Sequence, residues 1–219
     1  MHTETTEMSD KPTVRAGRPT KEQAVARHAQ LLDCALDHFL VKGFEQSTID
    51  AIAADVSMTK RTVYARYPDK VSLFRAAVRL GTERHSVSDE RIAATRVDDL
   101  EQSLINLARL RIDLIATPEG LRLQRIINTE SYRFPEIFNE YYEIAALPSV
   151  RFLARLLKEE TARGRMAISD PAQAANVFMS MVVSGPVRIL VSGNTLSGTE
   201  LDGRVGYAVR LFLDGALPR

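Results

Sequence analysis

The chain has one cysteine, four histidines and almost no surplus of charge, and each scarcity closes off a class of function. A single cysteine, Cys34, excludes an internal disulfide and any cysteine-rich metal site. Its place beside Ala35 on a helical pattern reads as a structural thiol rather than a redox sensor. His2, His28, His38 and His85 show no metal-ligand spacing to a carboxylate or to the cysteine. Neither HExxH nor GxSxG occurs. Gly193 to Thr199 has the outline of a phosphate-binding loop without its lysine, and reads as a loop between helices. Asp98-Asp99 and Glu159-Glu160 are adjacent pairs, so neither pair shares a helix face. No enzyme, cofactor or metal is expected. No N-terminal apolar run resembles a secretion signal, and no stretch of about 20 apolar residues is expected to span a bilayer. The expected location is the cytoplasm, with no membrane partner.

Net charge is only +1, which by itself does not argue for nucleic acid. Its distribution does. Residues 11–80 hold 12 Lys and Arg against 7 Asp and Glu, whereas residues 81–219 hold 17 against 18. Between residues 59 and 79 the balance is six to one. A basic footprint confined to one region is the local signal that phosphate binding requires.

That region contains Ile49–Lys70, which reads as two short helices joined by a tight turn. Ile49, Ile52, Ala53 and Val56 fall at i, i+3, i+4 and i+7, one apolar stripe. Ser47 precedes Thr48 and is expected to cap it. Ser57 sits in the turn, Met58 plugs the gap between the helices, and Thr59 caps the second helix. Val63 and Tyr67 form its inward face, and Pro68 ends it. Asp69 caps the next helix, which begins near Lys70. The outward face carries Lys60, Arg61, Thr62, Tyr64 and Arg66. Lys60 and Arg61 are candidates for base edges, and Thr48, Thr62, Tyr64 and Lys70 for phosphate. Thr59 stands at the positive end of the helix, where backbone N–H groups also attract phosphate. The plainer alternative is a solvated charged face on an ordinary short helix.

Ala53–Lys70 resembles the signature of the TetR family of transcriptional regulators. The likeness extends upstream through Leu31, Leu32, Ala35, Leu36 and Phe39, then Lys42-Gly43-Phe44 and Thr48. Downstream it runs through Tyr67-Pro68-Asp69-Lys70 and Leu73-Phe74, covering about Thr20 to Leu80. Ser57 stands where the family often has Gly, which strains the turn if its φ is positive. Arg66-Tyr67 stands where the family often has His or Tyr followed by Phe. The resemblance implies a DNA-binding set of Arg18, Thr48, Thr59, Lys60, Arg61, Thr62, Tyr64, Arg66, Tyr67 and Lys70.

The 219 residues divide into an N-terminal arm (1–17), a helix-turn-helix domain (18–68) and a helical ligand-binding and dimerisation domain (69–219). The arm is polar and expected to be disordered. It is either a solvated tail or, with Arg15 and Arg18, a segment that follows phosphate or enters the minor groove. Helix one runs to about Val41 and stops at Gly43. Val71, Phe74, Ala77 and Val78 mark a fourth helix linking head to body. From Val97 onward everything reads helical, with boundaries near Pro118, Pro135, Pro148, Gly164 and Asp170-Pro171. Leu201, Val205, Ala208, Val209 and Phe212 stripe the last helix. No strand pattern appears. The fold class expected is all-α: a three-helix DNA-binding head followed by a larger helical bundle.

Residues of about 120–215 resemble, more loosely, the AefR-like C-terminal domain of the same family. The likeness rests on Tyr132-Arg133-Phe134-Pro135-Glu136, Phe152-Leu153-Ala154, Asp170-Pro171, Gly185-Pro186 and Leu211-Phe212-Leu213-Asp214-Gly215. It implies a homodimer through the last two helices, with two heads about 34 Å apart on a palindromic operator of double-stranded DNA. Asn176–Ile189 is more apolar than one exposed helix side should be, which suits either a subunit contact or a central position in the bundle. A small-molecule effector site is implied between helices. Its candidates are Leu107, Arg111, Ile126, Tyr132, Phe134, Phe138, Tyr141, Tyr142, Phe178, Met179 and Val182. Each of these also suits an ordinary core, and Arg109, Arg111, Arg122 and Arg125 suit either an anionic effector or solvent. The function expected is a sequence-specific regulator, a repressor released from its operator by a largely apolar ligand. The alternatives are a ligand-dependent activator, a co-repressed regulator, or a helical module whose basic head binds protein or RNA.

Overall fold

The computed structural model describes residues 20–216. Arg18 and the arm lie outside them. Twelve α-helices and no strands occur among the described residues. In the head, a capping box between Thr20 and Gln23 starts α1 (Lys21–Gln46). Helical geometry breaks where expected, at Gly43, with φ 77° and ψ 172°. The chain then adds a further turn to Gln46 rather than leaving the helix. Ser47 does not cap α2 but stands at the C-terminal end of α1. It is buried, and its hydroxyl donates to the Gly43 carbonyl at 2.7 Å, across the break. Thr48 itself caps α2 (Ile49–Asp55), accepting from the Ala51 N–H at 3.2 Å. α3 (Lys60–Tyr64) and α4 (Lys70–Arg84) follow, the latter opened by an Asp69–Ser72 capping box.

α4 packs along α1, and its Gly81 allows the close approach. A Cβ there would stand 3.1 Å from Leu36 and 3.4 Å from Leu123. A short helix, α5 (Asp89–Ala93), was not expected; Ser88 caps it and it buries Ile92 against the body. The body comprises α6 (Leu100–Ile115), α7 (Pro118–Glu130), α8 (Pro135–Tyr141), α9 (Leu147–Ala162), α10 (Pro171–Met179), α11 (Gly185–Val191) and α12 (Gly198–Ala216). Asp99, Thr117 and Asp170 cap α6, α7 and α10.

Two joints in the body are π-helical: Tyr142–Ala146 between α8 and α9, and Ser180–Ser184 between α10 and α11. Each is followed by a proline, Pro148 or Pro186. A proline ring inside a helix supplies no N–H and collides with the carbonyl four residues back, so the ladder widens instead of continuing. Pro171–Val191 is thereby one long, interrupted apolar rod. Against expectation, it is long and apolar enough by composition to cross a membrane, and only a third of that window is buried within the chain.

The hydrophobic interior forms two clusters. The body cluster centres on Leu104, Leu107, Ile112, Leu153, Leu157 and Phe178. The head cluster joins Leu31, Phe39, Ile52, Val63 and Phe74 to Leu123, Ile126 and Ile127 of α7 and Ile137 of α8. Phe134 completes it, with ring centroids 5.0 Å from Phe44 and 5.9 Å from Phe74. The expected boundary after residue 68 therefore falls inside one packed core.

Candidate DNA interface and effector cavity

The turn between α2 and α3 is tight because Met58 N–H donates back to the Ala53 carbonyl at 2.8 Å. Ser57 takes φ 52°, the one positive φ outside glycine among the described residues. Thr59 then caps α3, accepting from the Thr62 N–H at 3.1 Å. Val63 is the buried anchor, packed in the cluster that holds Ile52 and Ala53. Fixing that one side chain inward turns Lys60, Arg61, Thr62, Tyr64 and Arg66 outward, and all five are exposed.

Their freedom differs. Lys60 pairs with Asp50 across the motif at 2.9 Å, and that hydrogen bond holds its ammonium above the usual lysine range. Among the described residues Arg61 and Arg66 make no ion pair. The Thr59 and Thr62 hydroxyls lie 2.8 Å apart, and Tyr64 projects into solvent. Tyr67 is half-buried, and its hydroxyl meets His28 Nε2 at 2.6 Å; burial pushes the phenol up and the imidazole down. Lys70 has a structural task not foreseen. Its Nζ donates to the Phe44 and Glu45 carbonyls at 2.9 and 3.2 Å, closing the end of α1, while covering the Phe44 ring. Two residues of α1 that the sequence reading missed, Arg27 and His28, border the same cleft as Thr59, Thr62 and Arg66. The short inward-facing periodicity of α3 carried no information about which part of α1 lies beside it.

A cavity of about 440 Å³ opens between α6, α7, α8, α10, α11 and the two π-helical joints. That size suits a small molecule. Of the eleven ligand candidates, Arg111, Phe138, Tyr141, Tyr142 and Met179 line it. The others do not. Leu107, Phe178 and Val182 belong to the body cluster, Phe178 against Phe212 at 5.1 Å. Ile126 and Phe134 belong to the head cluster. Tyr132 is 97% exposed. An apolar stripe marks which side of a helix faces inward, not whether a side chain or a space faces it. Polar lining residues were missed, although their spacing signals them: Ser180, Ser184 and Arg188 at intervals of four, and Gln124 and Asn128 likewise. The Tyr142 hydroxyl donates to Asn176 Oδ1 at 2.9 Å and fixes that wall.

α8 connects cavity and head. Tyr141 lines the cavity and also packs on the head cluster. Two turns of the same segment hold α4, through Glu140 at 2.9 Å and Glu136 at 3.5 Å from Arg75. Arg133 reaches Glu45 beside the end of α1, holding that carboxyl below the usual range.

One side-chain cluster has metal-ligand character, against the sequence reading of the histidines. Cys34, His38 and Asp55 bring ligand atoms within 4.8 Å of one another. His38 Nε2 is already hydrogen-bonded to Asp55 at 2.7 Å, and Lys42 stands 3.4 Å from its other nitrogen. Burial pushes the Cys34 thiol up. The arrangement is a clip between α1 and α2 with its polar atoms satisfied.

Comparison with known proteins agrees with both halves of the geometry. Residues 31–77 match the family described as bacterial regulatory proteins of the tetR family, and residues 102–215 match the C-terminal domain of AefR-like transcriptional repressors. The chain is 28% identical to the HTH-type transcriptional repressor BepR of Brucella suis, over 75% of this chain and 81% of that protein. Among solved structures, it is similar to the flavonoid-responsive regulator FrrA, with a TM-score of 0.71 and 27% identity over 89% of this chain and 99% of that one. A protein from Mesorhizobium loti described as a TetR-family regulator superposes with a TM-score of 0.73 at 23% identity, covering 91% of this chain and all of the other.

Proposed function

The chain belongs to the TetR family of DNA-binding transcriptional regulators, and from that premise we propose that it is a dimeric repressor released from a palindromic operator by an aromatic small molecule. Membership removes the enzyme alternative. The observation that carries the proposal is the outward side of α3 and of the turn after it, where Arg61 and Arg66 are exposed and, among the described residues, make no ion pair. An arginine fork in the major groove reads guanine edges, and the α3 N-terminus suits a phosphate.

The dimer reading rests on the far end of the body. Tyr207 and Leu211 on α12 are 65% and 53% exposed, and Val177 on α10 is also exposed. With the unburied part of the Pro171–Val191 rod they make an apolar face of the kind that two copies cover. For the effector, the cavity offers Phe138, Tyr141 and Tyr142, and the similar regulator FrrA responds to flavonoids. Occupation of the cavity shifts Tyr141 and α8, whose Glu136 and Glu140 hold α4 and which begins just after Arg133, the residue that holds the end of α1. The spacing of the two heads then follows the ligand, provided it binds the two arrangements with different affinity.

Selection of bound duplexes from a random pool, followed by a salt titration on the winner, tests the reading. A palindrome bound far above random DNA, with affinity falling steeply with salt, is the expected result. Binding without sequence preference points to the other reading, a module whose basic head serves a different partner.

A further inference from the structure

We propose that the ligand of the α6–α11 cavity is an anion: an aromatic molecule whose acidic group, a carboxylate, sulfonate or phenolate, is received by Arg111 and Tyr141. The proposal rests on reading that cavity as the effector site and adds the charge of what fills it.

Arg111 lies in the middle of α6 and is 3% exposed. Its Nη1 has no hydrogen-bond partner among the described residues. No carboxylate pairs with it, although its neighbour Arg109 lies 3.4 Å from both Asp113 and Asp202. Nor does any Asp or Glu line the cavity, while a second cation, Arg188, does. Among the described residues, the lining thus carries a buried guanidinium, Arg111, and an exposed one, Arg188, and no carboxylate.

Burying an uncompensated cation is costly, and most side chains escape by changing protonation. A guanidinium does not, because it keeps its proton at any pH the protein meets. Burial draws its affinity for the proton down without removing the charge. Among the described residues, the polar side chain that acts on its charge is Tyr141, which lines the same cavity and whose phenol burial pushes up and so keeps neutral. A neutral phenol beside a guanidinium has a lone pair for it and its own O–H to donate elsewhere. Arginine and tyrosine together therefore offer the cavity donors that no carboxylate of its lining accepts, the arrangement that an oxyanion completes. The remainder of the wall, Ile115, Val150, Val183 and Phe138 among it, suits the apolar body of the same molecule.

A matched pair of fluorescent probes separates charge from fit. 1-Anilinonaphthalene-8-sulfonate and N-phenyl-1-naphthylamine share one ring skeleton, with and without the sulfonate. Each is titrated into the full-length protein and into Arg111→Met, Arg111→Lys and Tyr141→Phe, with circular dichroism verifying the fold. In wild type both probes are expected to bind at one site per chain. In Arg111→Met the Kd of the sulfonate should rise about tenfold or more, the weight of a lost charge-assisted contact, while that of the neutral probe stays nearly unchanged. Arg111→Lys should restore part of the sulfonate affinity. Tyr141→Phe should weaken the sulfonate alone, and it decides the question if Arg111→Met does not fold. Equal weakening of both probes, or no change in either, overturns the proposal by making Arg111 a packing residue. Binding of the neutral probe but not the sulfonate overturns the proposal and leaves the effector cavity standing. Binding of neither overturns the cavity reading and this proposal with it.

Discussion

Arg61 and Lys60 are sequence neighbours on one exposed face, yet only Arg61 is free to reach outward. Lys60 is held by Asp50, and a DNA contact from it requires that pair to open. If Arg61 pairs a guanine, Arg61→Ala is expected to weaken operator binding by about 1–3 kcal/mol and to relax preference at one base pair. Competition binding against single-base operator variants measures it, and a uniform loss across all variants identifies a phosphate anchor instead. The turn offers a second test. Ser57 carries a positive φ, which costs a residue with a Cβ about 1 kcal/mol. Ser57→Gly should therefore raise the thermal midpoint by a few degrees; a lowered midpoint would show that the hydroxyl or the stiffer backbone outweighs the strain. At this scale the sequence showed which residues face outward, since Val63 and the Thr59 cap settle that. Partners distant in sequence were hidden: nothing near Lys70 announces the Phe44 and Glu45 carbonyls, and nothing near Tyr67 announces His28.

Helix boundaries were the most legible feature, because caps and prolines act locally. Thr59, Asp69, Thr117-Pro118 and Asp170-Pro171 all stand where such residues belong. α5 escaped because five residues are too few for a period. The π-helical joints escaped because a widened turn keeps the same side chains on nearly the same face. They matter most, since both form walls of the cavity. The end of α9 carries a different dependence. Glu160 is 2% exposed and accepts from Arg163 at 2.9 Å and from Arg165. The Arg165 hydrogen bond, followed by the charges of both arginines, holds its carboxyl below the ordinary 4.5. A group with a lowered folded-state value contributes stability that is complete above the ordinary value and is lost as pH falls through the lowered one. Glu160→Gln should be less stable at neutral pH by about 1–3 kcal/mol. Its denaturation curves should converge on those of wild type at low pH, and a constant gap at every pH would make the residue a matter of shape rather than charge.

At the scale of the whole molecule, the all-α architecture and the order of head and body were legible, because both rest on long periodic segments. The cavity of the body was half legible. Aromatic stripes led to Phe138, Tyr141 and Tyr142, but the same logic admitted Tyr132, which faces solvent, and Phe134, which packs in the head. The proposed dimer is tested by placing a charge in its apolar face. Tyr207→Glu should shift the protein from dimer to monomer in light scattering at micromolar concentration and lower operator affinity with it; a dimer unaffected by this change moves the interface elsewhere. The shared core of head and body, finally, governs how such proteins can be recombined. A hybrid built by exchanging everything up to residue 68 sets foreign side chains against Leu123, Ile126 and Phe134. A workable crossover has to carry the facing surfaces of α4, α7 and α8 along with the head. The seam that makes the two parts poor building blocks is the same one that the proposed release mechanism uses.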